Sequence, residues 1–329
     1  MAMAMAMPME VEMEMERGSA EICSGGSSSA LLAPSVSDGG VAAQWSEMLP
    51  EALARIFAVL PLEERMRSVP VVCKAWRKAA MDPTCWRVVD LHEWSRLMPW
   101  EVIHRMVQLV VERSGGGLEE LSVCRLANDE PVDYIAKRGH GLKVLRIPFC
   151  QVTDGCIANI APSLSRITHL DISGCTAISK TALAQIGRSC KSLARLDRNM
   201  SFFFQTNNLV AEEYDDEALA IAAHMPLLRH LELCYGSLTN SGLAAILDKC
   251  KSLDFLDLRG CMNLTIDGAM AERCRKIRVI YNIKFNDQFQ MLDLYDDMSD
   301  VHYSDDGWDI EEWYSSSDEI DDVLPCEMW

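Results

Sequence analysis

The chain has 329 residues, 49% of them hydrophobic and 24% charged, which is enough for one or two domains with a sizeable core. Its net charge of −18 is concentrated at the ends. Residues 287–329 contain 15 acidic residues and no Lys or Arg, whereas residues 45–286 contain 30 Lys and Arg against 28 acidic residues. This central region lacks the basic stripe that binding to nucleic acid requires, which argues against nucleic acid as a partner.

Several classes of protein are disfavoured by what the sequence lacks. The first 18 residues contain no basic segment followed by an apolar one, and no run reaches the roughly 18 apolar residues of a membrane span. We therefore expect an intracellular protein of the nucleus, the cytoplasm or both, with no membrane partner. The 13 cysteines are odd in number and form no C-x-x-C pair, which favours reduced thiols over disulfides or a zinc ribbon.

Residues 1–44 are of low complexity. They combine a run of Met, Ala and Glu with a Gly/Ser stretch and show neither a helical nor a strand period. We predict that this segment is disordered, because such a composition buries too little apolar surface to offset the entropy of ordering.

Three short helices are predicted between residues 45 and 92. The first has an apolar face with helical spacing between Pro50 and Pro61, the second ends at Pro70, and the third follows. A module of about 45 residues is too small for a comfortable core, so we expect part of its apolar surface to be covered by the next domain or by a partner. The apolar residues of the three helices are Leu53, Ile56, Phe57 and Leu60; Leu62, Met66 and Val69; and Val72, Ala75, Trp76 and Ala79.

A repeat follows in residues 93–286. The pattern L-x-x-L-x-L begins at residues 118, 142, 167, 193, 228 and 253, at intervals of 24, 25, 26, 35 and 25 residues. Each unit changes from a period of 2 to a period of 3.6, which predicts a strand followed by a helix. Such units cannot cover their own apolar faces, so about six to seven of them should stack into a curved α/β solenoid with the strands on its concave side.

Three segments depart from the regular repeat. Trp86 to Leu91 fits the strand of a first, irregular unit, and an insertion near 198–216 interrupts the unit that begins at Leu193. After residue 253 the pattern decays, which indicates a terminal cap. The acidic segment 287–329 is predicted to be disordered. It serves either only as a solvated tail or as an acidic mimic that competes with basic ligands for other surfaces.

The helical module resembles the F-box. The order and spacing of its Leu-Pro opening, its Ile-Phe pair and its V-C-K-x-W segment, followed by a further Trp, carry this resemblance. The repeats look like the cysteine-containing leucine-rich repeats found behind many F-boxes, and the arrangement is similar to plant F-box/leucine-rich-repeat proteins. The repeat cysteines concerned are Cys150, Cys175 and Cys261, with Cys190, Cys250 and Cys274 at helix ends.

The resemblance implies a fold and a function. The fold would be an N-terminal three-helix F-box at 45–92 and a short leucine-rich-repeat solenoid, or horseshoe arc, at 93–286, between disordered termini. The function would be that of a substrate-recognition subunit of an SCF ubiquitin ligase, in which the F-box binds a Skp-type adaptor that links to cullin and RING subunits, while the repeats hold an unknown target protein for degradation. The adaptor-binding residues implied are Leu49, Pro50, Leu53, Ile56, Phe57, Leu60, Val72, Cys73, Trp76 and Trp86.

No catalytic chemistry is predicted for this chain. No set of nucleophile, base and orienting group can be assembled, so we expect neither enzymatic activity nor a cofactor. The recurrence of cysteine at equivalent repeat positions favours small buried side chains with weak S–H donors over metal ligands. His169 and His230 fall on strands rather than in a ligand cluster, and no metal site is predicted. The alternative function is a non-degradative leucine-rich-repeat interaction scaffold.

Two candidate regions for target binding emerge from the repeats. The residue between the last two apolar positions of L-x-x-L-x-L should point onto the concave surface, where four successive acidic residues would line one column. This column is either a solvated strand edge or a negative patch for a basic segment of the target. The three consecutive aromatic residues of the insertion either anchor under the solenoid or form an interaction patch. The candidates are Arg146, Asp171, Asp197, Glu232 and Asp257 in the column, and Phe202, Phe203 and Phe204 in the insertion.

Overall fold

The computed structural model describes residue 45 and residues 48–200 and 214–281. The predictions of disorder for residues 1–44 and 287–329 fall outside these residues, as do Phe202, Phe203 and Phe204. Over the described ranges, no helix is both long and apolar enough to cross a membrane.

The N-terminal module contains four short helices, where the sequence predicted three. The second helix stops at Met66, and Pro70 lies in the first turn of a separate helix instead of ending one. Proline is compatible with a first helical turn because its missing N–H would have no intrahelical partner there. The helices are Pro50–Phe57 (α1), Leu62–Met66 (α2), Val69–Val72 (α3) and Lys74–Ala80 (α4), followed by a 3-10 turn at Pro83–Trp86.

Trp86 joins this module to the repeats. Its side chain is completely buried, and its indole N–H donates to the carbonyl of Ala80 at 2.9 Å. The guanidinium of Arg65 in the module lies 5.7 Å from the ring centroid, and that of Arg113 in the repeat region lies 4.8 Å from it. The module and the first repeat therefore share one core.

In the described part of the chain, eight short strands form a single parallel sheet whose order follows the sequence. Six of them coincide with the predicted L-x-x-L-x-L segments, and the first lies in the predicted irregular unit. The central residue of each strand from β2 to β7 is a leucine with at most 2% of its surface exposed. The strands are Val88–Asp90 (β1), Glu120–Ser122 (β2), Val144–Arg146 (β3), His169–Asp171 (β4), Arg195–Asp197 (β5), His230–Glu232 (β6), Phe255–Asp257 (β7) and Arg278–Ile280 (β8).

Helices follow the strands and cover the outer side of the sheet. The two that follow β1 were not predicted, although Ile103, Met106, Val107 and Val110 are buried at helical spacing on the longer of them. The helices are His92–Leu97 (α5), Trp100–Arg113 (α6), Glu130–Arg138 (α7), Asp154–Ile160 (α8), Lys180–Ser189 (α9), Asp216–His224 (α10), Asn240–Lys249 (α11) and Gly268–Cys274 (α12).

The repeat cysteines are buried free thiols, as the sequence predicted. The Cys175 thiol donates to the carbonyl of Ile147 in the preceding repeat at 3.1 Å, and the Cys261 thiol donates to that of Leu233 at 3.0 Å. Burial raises the pKa of Cys175 to about 11 and that of Cys261 to about 12. At neutral pH these thiols stay protonated, so they act as packing residues with a weak hydrogen bond.

The turn after each of several strands has a left-handed residue at the same repeat position. Phe149, Gly174, Tyr235 and Gly260 have φ values of 58°, 68°, 56° and 76°. The ring of Phe149 lies so close to Gly174 that a Cβ there would approach it to 2.2 Å, and Tyr235 covers Gly260 in the same way at 2.4 Å. Only glycine fits beneath these two rings, so the aromatic residue and the glycine together fix the stacking of adjacent repeats.

The repeat of β5 has a charged residue in its core. Arg198 is only 2% exposed, and its guanidinium donates to the carbonyls of Cys175 and Ile178 at 2.9 Å each. It also pairs with Glu217 at the start of α10, at 2.8 Å. This pair connects the two sides of the insertion. Other repeats have apolar residues at the position of Arg198, namely Val123, Ile147, Ile172, Leu233 and Leu258.

Candidate protein-binding surfaces

The N-terminal module exposes large apolar side chains. Leu49, just before α1, is 70% exposed, and Val71 and Val72 on α3 are 67% and 48% exposed. Val59, after α1, is 82% exposed. Several exposed aliphatic residues on so small a module are typical of a surface that binds another protein.

Burial separates the ten residues that the resemblance implied for adaptor binding. Leu53, Phe57 and Trp86 are at most 1% exposed and belong to the core of the chain, so they have no surface to offer a partner. The other seven retain accessible surface. Leu49, Pro50 and Val72 are exposed, and Ile56, Leu60, Cys73 and Trp76 are half-buried.

Aromatic contacts hold Trp76 in place at this surface. Its ring centroid lies 5.0 Å from that of the buried Phe57 and 5.9 Å from that of Trp45, with the Trp45 ring edge-on. Such arrangements stabilise an aromatic pair beyond the burial of its area. A side chain that is already held in one position loses little conformational entropy when a partner binds.

On the concave side of the solenoid, the predicted acidic column is present. Arg146, Asp171, Asp197, Glu232 and Asp257 are successive Cα partners across β3 to β7. Their side chains share one face of the sheet because strand residues in register point the same way. We refer to these five residues as the concave column.

Most acids of the concave column are already paired within the chain. Arg195 donates to Asp197 at 2.9 Å and to Glu232 at 2.9 Å, and Arg259 donates to Asp257 at 2.8 Å. Asp197 and Asp257 are only 4% and 2% exposed, so the interpretation of a solvated strand edge is wrong for these two residues. In contrast, Asp171 is half-buried and forms no ion pair with the described residues.

Two histidines extend this network of ion pairs, and the network shifts the pKa of Asp197. A ring nitrogen of His169 lies 2.9 Å from Asp197, and one of His230 lies 2.8 Å from Glu232. Burial alone would raise the pKa of Asp197, but the hydrogen bonds from His169 and Arg195 outweigh it, and the pKa is lowered. The pKa of Asp171 is raised, chiefly because burial disfavours its charged form.

The prediction that His230 lies outside any ligand cluster is wrong. Ligand atoms of Asp197, His230 and Glu232 lie within 4.8 Å of one another. However, the guanidinium of Arg195 bridges the two carboxylates and supplies the positive charge that a metal ion would bring. We therefore interpret the cluster as an ion-pair network.

Phe255 is a surface residue that the sequence analysis did not single out. It occupies the first, half-buried position of β7, where its ring stacks on His230 with centroids 4.1 Å apart and an interplanar angle of 10°. The guanidinium of Arg278 on β8 lies 5.7 Å from the same ring. Phe255 is the aromatic residue at the first position of the described strands, where the neighbouring strands β4, β5, β6 and β8 have His or Arg, and this was the available signal.

The fold and these surfaces define a class of protein: a modular interaction protein in which a small helical module with an exposed apolar surface precedes a leucine-rich-repeat solenoid. No family model matches the chain. The chain is 36% identical to F-box protein FBW2 of Arabidopsis thaliana over 270 residues, which cover 82% of this chain and 84% of that protein. It is 33% identical to F-box protein SKIP19 of the same plant, covering 79% and 83%.

A third relative has repeats in its name. The chain is 34% identical to the putative F-box/LRR-repeat protein 23 of Arabidopsis thaliana, over 77% of this chain and 56% of that protein. The chain therefore belongs to the F-box proteins, in the group with leucine-rich repeats, and the resemblance drawn from its sequence is confirmed.

Proposed function

We propose that this chain is the substrate-recognition subunit of an SCF ubiquitin ligase. The F-box module binds a Skp-type adaptor, which connects it to cullin and RING subunits, and the repeats hold a target protein for ubiquitination and degradation. The chain itself performs no catalysis in this scheme. The observation that carries the proposal is the exposed apolar surface around Leu49 and Val72, on a module that shares a core with the repeats.

The adaptor is proposed to cover the exposed and half-buried part of the F-box set. Complete burial of one aliphatic side chain contributes about 1.5–3 kcal/mol, so the exposed surface of Leu49, Val71 and Val72 is enough for a specific contact. Trp76 would serve as a preorganised aromatic anchor. Leu53, Phe57 and Trp86 support this surface from below without touching the partner.

The shared core has a mechanical consequence for a ligase subunit. Because Trp86 packs against Arg65 of the module and Arg113 of the repeat region, the solenoid should keep one orientation relative to the adaptor. A fixed orientation places a target on the concave side at a constant distance from the RING subunit. This is useful because transfer of ubiquitin depends on proximity.

The target-binding site is proposed to be the concave column together with Phe255. Asp171 is its acidic member without an ion pair, so it is the residue most available to a basic side chain of the target. Arg146 is half-buried and lies beside Asp171 on β3, and the half-buried Glu232 lies two strands away on β6. Phe202, Phe203 and Phe204 lie just after Met200 in the sequence and remain proposed target contacts outside the described residues.

Co-purification from cells with the proteasome blocked tests this function. The intact chain should recover an adaptor, a cullin and further proteins, whereas the double variant Leu49→Glu with Val72→Glu should recover only the further proteins, which are then target candidates. Leu227→Glu is a matched control, because Leu227 is also an exposed apolar residue, 59% exposed, but lies in the repeats. Recovery of neither adaptor nor cullin by the intact chain would reject the ligase function in favour of the scaffold.

Target binding has a separate test. Asp171→Lys should reduce the recovery of target candidates while adaptor and cullin remain, because only the concave surface is changed. The control is Asp248→Lys, which reverses an exposed charge on α11, outside the concave column. If Asp171→Lys recovers every candidate at the level of the intact chain, the target contacts another surface.

A further inference from the structure

The two long edges of the solenoid differ in charge. All described strands are parallel, and each from β1 to β7 is followed by at least one helix, so the helix C-termini and the strand N-termini lie at one edge. The segments at this edge contain 13 Lys or Arg residues and three acidic residues. They are 137–143, 161–168, 187–194, 223–229, 248–254 and 272–278, which we call the basic edge.

Part of this charge is explained by the helices themselves. The Lys191 ammonium donates to the carbonyl of Gly187 at 2.8 Å, and that of Lys251 donates to the carbonyl of Leu247 at 3.0 Å. Cations at a helix C-terminus interact favourably with the macrodipole and with unpaired carbonyls. These two lysines therefore have a structural role in addition to any other.

Other basic residues at this edge form no hydrogen bond of this kind. Arg166, Lys249 and Lys276 are exposed and form neither an ion pair nor a hydrogen bond with the described residues. Lys191 and Lys251 are exposed and lack an acidic partner in the same part of the chain. Five cations of the basic edge form ion pairs, namely Lys137, Lys143, Arg229, Arg273 and Arg275. The other eight form no ion pair with the described residues, so the basic edge keeps an excess of positive charge.

We propose that the acidic segment 287–329 of the same chain docks on the basic edge. This segment, which lies outside the described residues, carries 15 acidic residues and no Lys or Arg, and it includes Trp308, Trp313, Tyr314 and Trp329. Its composition suits the basic edge in two ways. Carboxylates form ion pairs with Lys and Arg, and aromatic rings bind the same cations through their faces. Covalent attachment raises the effective concentration to roughly millimolar, so weak individual contacts suffice.

The geometry of the last repeat allows this contact. The described chain ends at Tyr281, just after β8, and therefore at the edge opposite the basic edge. The residues between Tyr281 and Asp287 span at most about 20 Å, which is enough to return across a strand of three residues.

Carbodiimide cross-linking of the full-length chain tests the proposal, because it joins lysine ammonium groups to carboxylates that touch them without adding a spacer. In the monomer fraction at low salt, we expect links from Lys191, Lys249, Lys251 or Lys276 to acidic residues of 287–329. These links should weaken at 0.5 M salt, where exposed charges are screened within a few Å. The proposal does not depend on adaptor or target binding.

Two charge reversals sharpen this test. The double variant Arg166→Glu with Arg188→Glu removes two positive charges but keeps every lysine that carbodiimide can link. We expect the cross-links between Lys191 and residues 287–329 to fall roughly fivefold, because the acidic segment is attracted less strongly. Arg55→Glu, which reverses an exposed charge on α1, should leave them unchanged. Tail links confined to a second copy of the chain, tail links to Lys74 and Lys78 instead, or none at low salt would each overturn the proposal.

Discussion

The F-box module and the repeat array differ in which kind of residue they expose on their binding surfaces. The module leaves Leu49, Val71 and Val72 largely exposed, whereas the central leucines of β2 to β7 are all buried. The repeats instead place charged residues on their concave surface, and most of these are paired with one another. The module offers surface whose burial supplies affinity, and the repeats offer a fixed pattern of charge that supplies selectivity.

The difference has a physical origin in size. A module of four short helices cannot surround all of its apolar side chains, so some remain for a partner. A stack of repeats covers each apolar face with the next repeat, so polar residues remain on the concave surface, at the edges and on the outer sides of the helices. Substitutions in the core, in the concave network and on the module surface should therefore differ in their effects on stability.

The largest expected loss of stability is at the junction of the two regions. Trp86→Ala should lower the free energy of unfolding by about 3–5 kcal/mol, because it removes a fully buried aromatic side chain. Urea unfolding measures this loss. Leu227→Ala, at an exposed position, is the control and should change stability by less than about 0.5 kcal/mol. An equal loss for both variants would mean that Trp86 is not a junction residue.

A similar loss is expected within the irregular repeat. Arg198→Ala should cost about 3 kcal/mol, because it deprives buried carbonyls and Glu217 of their donor. Arg198→Met, which restores an apolar side chain of similar length, should cost less, since Glu217 is partly exposed and can be hydrated. An equal loss of stability in Arg198→Met and Arg198→Ala would mean that the hydrogen bonds of Arg198 stabilise this repeat and that the volume of its side chain does not.

The concave network should have a smaller effect that depends on pH. Asp197→Asn should cost about 2 kcal/mol at pH 7, because the ionised carboxylate accepts bonds from Arg195 and His169. The folded-state pKa of Asp197 is lowered, so its contribution is complete above the unfolded-state pKa of about 3.9 and is lost as pH falls through the folded-state pKa. Urea unfolding from pH 7 to pH 3 should show the two proteins converging below about pH 4. A difference that stays constant down to pH 3 would contradict the ion-pair interpretation.

The repeat architecture was predictable because its signal is periodic. The spacing of L-x-x-L-x-L located six strands, and the recurrence of Cys150, Cys175 and Cys261 predicted buried thiols that the structure confirms. The helix Trp100–Arg113 has a helical period in its sequence, but it precedes the first L-x-x-L-x-L segment and is therefore not located by the repeat spacing. The additional helix of the module was not predicted because Pro70 can either end one helix or begin the next, and in the structure it lies in the first turn of Val69–Val72.

The surfaces were less predictable than the fold. Alternation along a strand gives the direction of Asp197 and Asp257, yet it does not reveal that Arg195 and Arg259 neutralise them. Likewise, the F-box pattern groups Leu53 and Leu49 together, while the structure buries one and exposes the other. Pairing and burial depend on the three-dimensional neighbours, which a pattern along the chain does not contain.

The smallest loss of stability is expected on the surface of the module. Leu49→Ala with Val72→Ala should change the free energy of unfolding by no more than about 0.5 kcal/mol, because neither side chain belongs to the core. Urea unfolding of the double variant checks this. A loss of several kcal/mol would show that these side chains stabilise the fold and would weaken their assignment to a binding surface.

Calorimetric titration of the purified full-length chain with a purified Skp-type adaptor tests the central claim most directly. We expect saturable binding by the unaltered chain and by Leu227→Glu, and roughly 100-fold weaker binding by Leu49→Glu with Val72→Glu, the loss typical of two anchor residues. Equal affinity of this double variant and the unaltered chain, or no binding by either, would contradict the proposed adaptor surface and the ligase function that depends on it.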